Sequence, residues 1–191
     1  MKILVGLGNP GQTYHETRHN VGFRVIQLLA QRRGVALDQR LVSPRDGRPA
    51  CVSGDYAHDG QGIRLVMLLT MMNESGEALR ALPSAPEELL LICDDVNLPL
   101  GTLRLRPQGG AGGHHGLESC LSVMGTEQVA RLRIGVGVTS LPRDLHEFVL
   151  SPFGPTERPL IRQAIDQAAQ ACEAWASGGI EAAMNRYNTN A

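Results

Sequence analysis

The sequence predicts an α/β domain in which a twisted, mixed β-sheet is flanked by helices and the functional site lies at the strand carboxyl ends. Three observations predict it. IRLVMLLT at 63–70 and ELLLIC at 88–93 are near-continuous apolar runs, the pattern of strands covered on both faces. Segments of helical period alternate with such runs along the chain. Polar residues then follow three apolar strands: Asn9 the first, Asn73 the second, and Asp94 with Asp95 the third. In open α/β sheets, ligands settle outside those strand ends.

Each element has its own reason. KILVGL at 2–7 is an apolar run stopped by a Gly/Asn/Pro turn. VGFRVIQLLAQRRG at 21–34 sets Val21, Val25, Leu28 and Leu29 on one helical face and ends at Gly34. Residues 38–62 are polar and carry glycine, which leaves only a weak strand near 50–53. Pro83 halts a short helix over 75–82, and TLRLR at 102–106 alternates strictly, lining a wet face with Arg104 and Arg106. The glycine-rich QGGAGGHHG leads into a helix over 116–124, and RLRIGVGV at 131–138 is a further strand. A helix over 157–176 and a shorter one over 180–187 close the chain. With no dividing linker, residues 1–191 read as a single domain.

Composition narrows the class. The chain has 191 residues, of which 42% are hydrophobic, enough for a real core and too many for a disordered chain. Its unbroken apolar stretches are too short for a membrane span, and MKILVGLGNP turns to glycine and proline too soon for a secretory signal. Cys51, Cys93, Cys120 and Cys172 show no metal or disulfide spacing, so reduced thiols and a cytoplasmic location are expected. The formal charge of −1 gives nucleic-acid binding no general support, so any such site must be a local patch. Every basic residue except Lys2 is an arginine, whose planar fork suits phosphate.

Three chemistries compete for the crevice. Gly6, Gly8 and Gly11 match GxGxxG after a strand, but Pro10 and the polar QTYHETRHN intervene before the helix. A dinucleotide pyrophosphate needs that helix N-terminus, so a nicotinamide enzyme ranks low. A metal site from His15, His19, His114 and His115 lacks any framing motif, and no metal is expected. His58 and His146 read as surface residues. The third chemistry is a histidine general base oriented by a carboxylate, with Asn9 and Asn73 holding water and a substrate carbonyl. That set suits hydrolysis of an activated ester, and the chain has no GxSxG serine elbow to compete with it.

GLGNPGQTYHETRHNVG at 6–22 closely resembles the opening signature of bacterial peptidyl-tRNA hydrolases. The resemblance continues in order through MNESG at 72–76, DDVNLPLG at 94–101, GGAGGHHGL at 109–117, RLRIGVG at 131–137, FVLSPF at 148–153 and AMNRYN at 183–188. It implies hydrolysis of the ester joining a peptide to the tRNA 3′ end, in the cytoplasm, by a monomer without cofactor or metal. It further implies His19 as the catalytic base and Asp94 as its supporting carboxylate. Asn9 and Asn73 are then substrate-binding amides, with Tyr14 and Met71 lining the same cleft. By the same resemblance Arg104, Arg106 and Arg133 face the tRNA acceptor stem.

The chain departs from the family pattern in places. GGHHG stands where GGHNG is usual, so His115 replaces a substrate-contacting asparagine and would make that contact sensitive to pH. LLT replaces the usual proline-threonine step, Met71 stands where an aromatic is common, and VTSLP replaces the usual His-Pro after Gly137. These departures motivate a rival reading, a catalytically weak relative that serves as an RNA-binding module. A pH profile separates the two, because a binder shows no turnover.

Overall fold

The computed structural model describes residues 1–188. Its strands are β1 (Lys2–Gly6), β2 (Gln39–Val42), β3 (Pro49–His58), β4 (Gln61–Leu68), β5 (Leu89–Pro99), β6 (Leu103–Arg106) and β7 (Ala130–Gly137). They form one sheet in the order β2-β3-β4-β1-β5-β7-β6. The central β4, β1, β5 and β7 run parallel; β3 joins β4 and β6 joins β7 antiparallel, and β2 pairs antiparallel with β3 at the edge. The helices are α1 (Val21–Arg33), α2 (Ser75–Leu79), α3 (His115–Met124), α4 (Leu145–Val149) and α5 (Arg158–Tyr187).

The central strands read as continuous apolar runs because both of their faces are covered. Leu4, Leu65, Leu90, Ile92 and Leu132 pack on the α1 and α5 side. Their neighbours Val5, Val66, Leu91 and Cys93 pack on the α2 and α3 side. Successive strand residues thus feed opposite cores. Among the described residues, no helix is long and apolar enough to cross a membrane.

The glycines after β1 serve packing. A Cβ on Gly22 would run into the carbonyl of Ile92, and one on Gly8 would meet the Phe23 ring at 2.7 Å. α1 therefore sits with its N-terminus against the sheet, and the turn before it carries His19 up to Asp94 within β5. Gly34 ends α1 in the left-handed region at φ 63°, as the sequence predicts.

Three expectations need correction. Residues 38–62 are mostly strand, because β2 and β3 form an edge whose exposed face tolerates polar residues. Asp59 and Gly60, at φ 50° and 77°, make the two-residue turn between β3 and β4, a pairing that Asp-Gly favours. Asp94 and Asp95 lie within β5, whose pairing with β7 continues through both residues. α4 was not foreseen: its residues are all exposed or half-buried, leaving no apolar period to read. At the C-terminus both expected helices are present within α5, separated by a break at Gly179 with φ 82° and ψ 178°.

Candidate active site

The parallel strand ends open into a cleft of about 540 Å³. Asn9 after β1, Asn73 after β4 and Asp94 in β5 line it, with His19 from the turn before α1. The glycine-rich loop contributes His114 and His115, and α4 closes the far side with Leu145, His146, Val149 and the adjoining Leu150.

At its floor, Asp94 is 2% exposed and faces two imidazoles. His19 Nδ1 lies 2.7 Å from Asp94 Oδ1, and His114 Nε2 lies 3.0 Å from the same oxygen. The backbone fixes the His114 tautomer. His114 is the N-cap of α3, and its Nδ1 accepts the Leu117 N–H at 3.1 Å, so Nε2 carries the proton donated to Asp94. Burial alone would raise the Asp94 carboxyl, but the two imidazoles facing it override that and hold it well below the usual carboxylate range. Asp94 is thus a fixed anion. With His19 Nδ1 directed at Asp94, Nε2 is the ring nitrogen left for the cleft, the arrangement of a general base.

A second network orients Asn9. The Asn9 N–H donates to Asn20 Oδ1 and the Asn20 Nδ2 donates to the Asn9 carbonyl, both at 2.9 Å. Asn20 begins α1, yet its carboxamide does not cap that helix and holds Asn9 instead. The Met72 N–H donates to Asn9 Oδ1 at 2.7 Å, which leaves Asn9 Nδ2 for the cleft. Asn73, Met71 and His115 are exposed at the rim, and Tyr14 is half-buried beside them.

The arginines divide into two sets. Arg133 lines the cleft, its Nε 3.1 Å from Asp95 Oδ2 but off the line of a hydrogen bond, so the pair is electrostatic. Arg104 and Arg106 lie outside the cleft on β6, in register with Arg133 and Arg131 across β7. All four share the sheet face opposite Leu103, Leu105 and Leu132, making a block of like charge. Arg131 is buried and donates to the carbonyls of Val129, Gly110 and Glu127, bracing the glycine-rich loop.

The cysteines offer no nucleophile. All four are free and buried, and burial pushes the thiols up, Cys51 to about 11 and Cys120 to about 12. His19, Asp94 and His114 have ligand atoms within 4.8 Å of one another, close enough to share an ion if both hydrogen bonds to Asp94 were given up.

A family model described as peptidyl-tRNA hydrolase matches residues 3–191. The chain belongs to the peptidyl-tRNA hydrolase family. It is 41% identical over 192 residues to the peptidyl-tRNA hydrolase of Syntrophomonas wolfei, covering 98% of this chain and 100% of that protein. It is 44% identical over 199 residues to that of Synechococcus elongatus, covering 97% and 91%. The crystal structure of peptidyl-tRNA hydrolase from Acinetobacter baumannii matches with a TM-score of 0.87 at 33% identity, covering 99% of this chain and 95% of that one.

Sequence reasoning misses His114, which it places only in the histidine set that lacks a framing metal motif. It also misses Asn20 and the α4 wall. For His114 a signal existed: a polar residue just ahead of a helix is a cap, and its side chain turns back toward that helix. His115, one residue on, is the first residue of α3 and stays exposed. Asn20 lay in the RHN of the opening signature with nothing local to show its partner. α4 carried no signal.

Proposed function

We propose that the protein hydrolyses the ester between a peptide and the 3′ end of tRNA, freeing tRNA from aborted translation, with His19 as general base on water. The observation that carries this is the 2.7 Å bond between His19 Nδ1 and the buried Asp94 at the floor of a cleft edged with carboxamides.

In this reading His19 Nε2 takes a proton from water as the water oxygen attacks the ester carbonyl carbon. The bond from that carbon to the ribose oxygen then breaks, and the proton on His19 passes to the departing ribose oxygen. Asp94 keeps the ring oriented and stabilises the imidazolium between those steps. His114, donating to the same carboxylate, keeps that anion fixed. Asn9 Nδ2 and the Asn73 carboxamide bind the peptidyl carbonyl and position the water. Tyr14, Met71 and His115 contact the substrate around them.

The tRNA partner is read from the arginine block. Arg104 and Arg106 stand opposite arginines in the register, an arrangement that phosphates relieve, and Arg133 joins them to the cleft. The acceptor stem then lies along β6 with its 3′ end at His19. The protein is proposed to act in the cytoplasm as a monomer.

The test is hydrolysis of an N-acetylated aminoacyl-tRNA, with and without a chelator. Turnover that survives the chelator is expected. Tight tRNA binding with no turnover would overturn the reading and favour an RNA-binding module.

A further inference from the structure

Arg18, the residue before His19, is 6% exposed. Its two terminal nitrogens donate to the two carboxylate oxygens of Glu157, at 3.0 and 2.8 Å. Its guanidinium lies between the rings of Phe148 at 4.3 Å and Phe153 at 4.7 Å. Nε reaches Ser151 Oγ at 3.4 Å, and the Arg18 N–H donates to the Ser151 carbonyl at 3.1 Å. Thr17 forms a β-bridge with Pro152. One side chain thus gathers the His19 turn, α4 through Phe148, and the segment leading into α5.

The gathering matters because α4 has little else to hold it. A five-residue helix has no stability of its own, and all of α4 is exposed or half-buried. Yet Leu145, His146 and Val149 form the wall of the cleft opposite the strand ends. Asp144 caps α4 locally by accepting the Glu147 N–H, which shapes the helix but does not place it. Placement comes from Phe148 stacked on Arg18. Planarity and five fixed donors let an arginine bind a carboxylate bidentately and stack between two rings at once, which a lysine cannot do.

We propose that Arg18 is a positioning residue, holding the α4 wall at a set distance from His19 so that the peptidyl group is gripped in line with the base. This rests on the proposed hydrolysis and adds to it the means by which the two sides of the cleft keep register. Arg18 touches both sides, whereas Phe148 belongs to the wall alone, so the two side chains have separable effects.

The experiment compares wild type, Arg18→Lys, Phe148→Leu and Glu157→Gln in hydrolysis of an N-acetylated aminoacyl-tRNA, with amide exchange of residues 144–151 measured on the same samples. Phe148→Leu should raise KM by about tenfold with kcat near wild type, and Arg18→Lys should raise KM and lower kcat together by about tenfold each, the scale expected of a small misplacement. Glu157→Gln should fall between them. Exchange over 144–151 should speed up in all three variants. Wild-type KM and kcat in Phe148→Leu and Glu157→Gln, with only the melting temperature lowered, would make Arg18 a structural residue and overturn the inference. Should wild type itself prove inactive, the hydrolase reading fails, and the exchange rates still decide whether Arg18 holds α4: unchanged exchange overturns that too.

Discussion

The two sides of the cleft are built on different terms. On the sheet side, Asp94 with His114 and Asn9 with Asn20 are buried and tied in two networks by hydrogen bonds of 2.7 to 3.1 Å. On the α4 side, Leu145 is 41% exposed, and the wall is placed through one arginine. Groups that must meet a reacting atom sit where strands dictate their positions, and groups that need only enclose a varied peptide sit on a short helix. Substitutions on the sheet side should therefore act on the chemical step, and those on the other side on binding.

Asp94→Asn presses hardest on this contrast. It preserves shape but removes the anion that supports the His19 imidazolium, and kcat should fall by ~10²–10⁴-fold with little change in KM. The same variant tests the linkage to stability. Because the folded state holds the Asp94 carboxyl below its unfolded value, the stabilisation is present above about pH 4 and is lost as pH falls through the folded value. Wild type should then lose melting temperature below about pH 4 more steeply than Asp94→Asn does. Equal slopes would mean that the two histidines do not depress that carboxyl.

Asn20→Ala comes next. It leaves the Asn9 N–H and carbonyl buried without partners, at a cost of about 1–3 kcal/mol each. Denaturant unfolding should show that loss. Activity should drop as well, since Asn9 is no longer held over the cleft. A stability loss with undiminished kcat would show that Asn9 needs no such bracket.

Arg106→Ala should have the smallest effect and the most selective one. It lies outside the cleft, so kcat at saturating substrate should hold while tRNA affinity weakens. The slope of log affinity against log salt should flatten by about one phosphate contact. An unchanged slope would remove Arg106 from the RNA path.

The same contrast governs what the sequence discloses. Asn9, Asn73 and Asp94 were legible because buried parallel strands leave continuous apolar runs, and whatever follows a run is placed by it, even at Asp94, where the strand itself continues. β2 and β3 were not, because an edge strand with one wet face dilutes the apolar pattern into polar residues and glycine. His114 and His115 are identical in the sequence, and only the capping geometry of α3 turns one inward and leaves the other at the rim. Arg18 was invisible for a different reason. Its partners, Phe148, Phe153 and Glu157, lie more than a hundred residues away, and nothing local marks a buried arginine.

The most direct test of the central claim measures hydrolysis of an N-acetylated aminoacyl-tRNA by His19→Ala beside its affinity for tRNA. Turnover should fall by ~10²–10⁴-fold, the contribution of a general base, with tRNA affinity unchanged. Near-wild-type turnover in His19→Ala would contradict the account and require another base in the cleft.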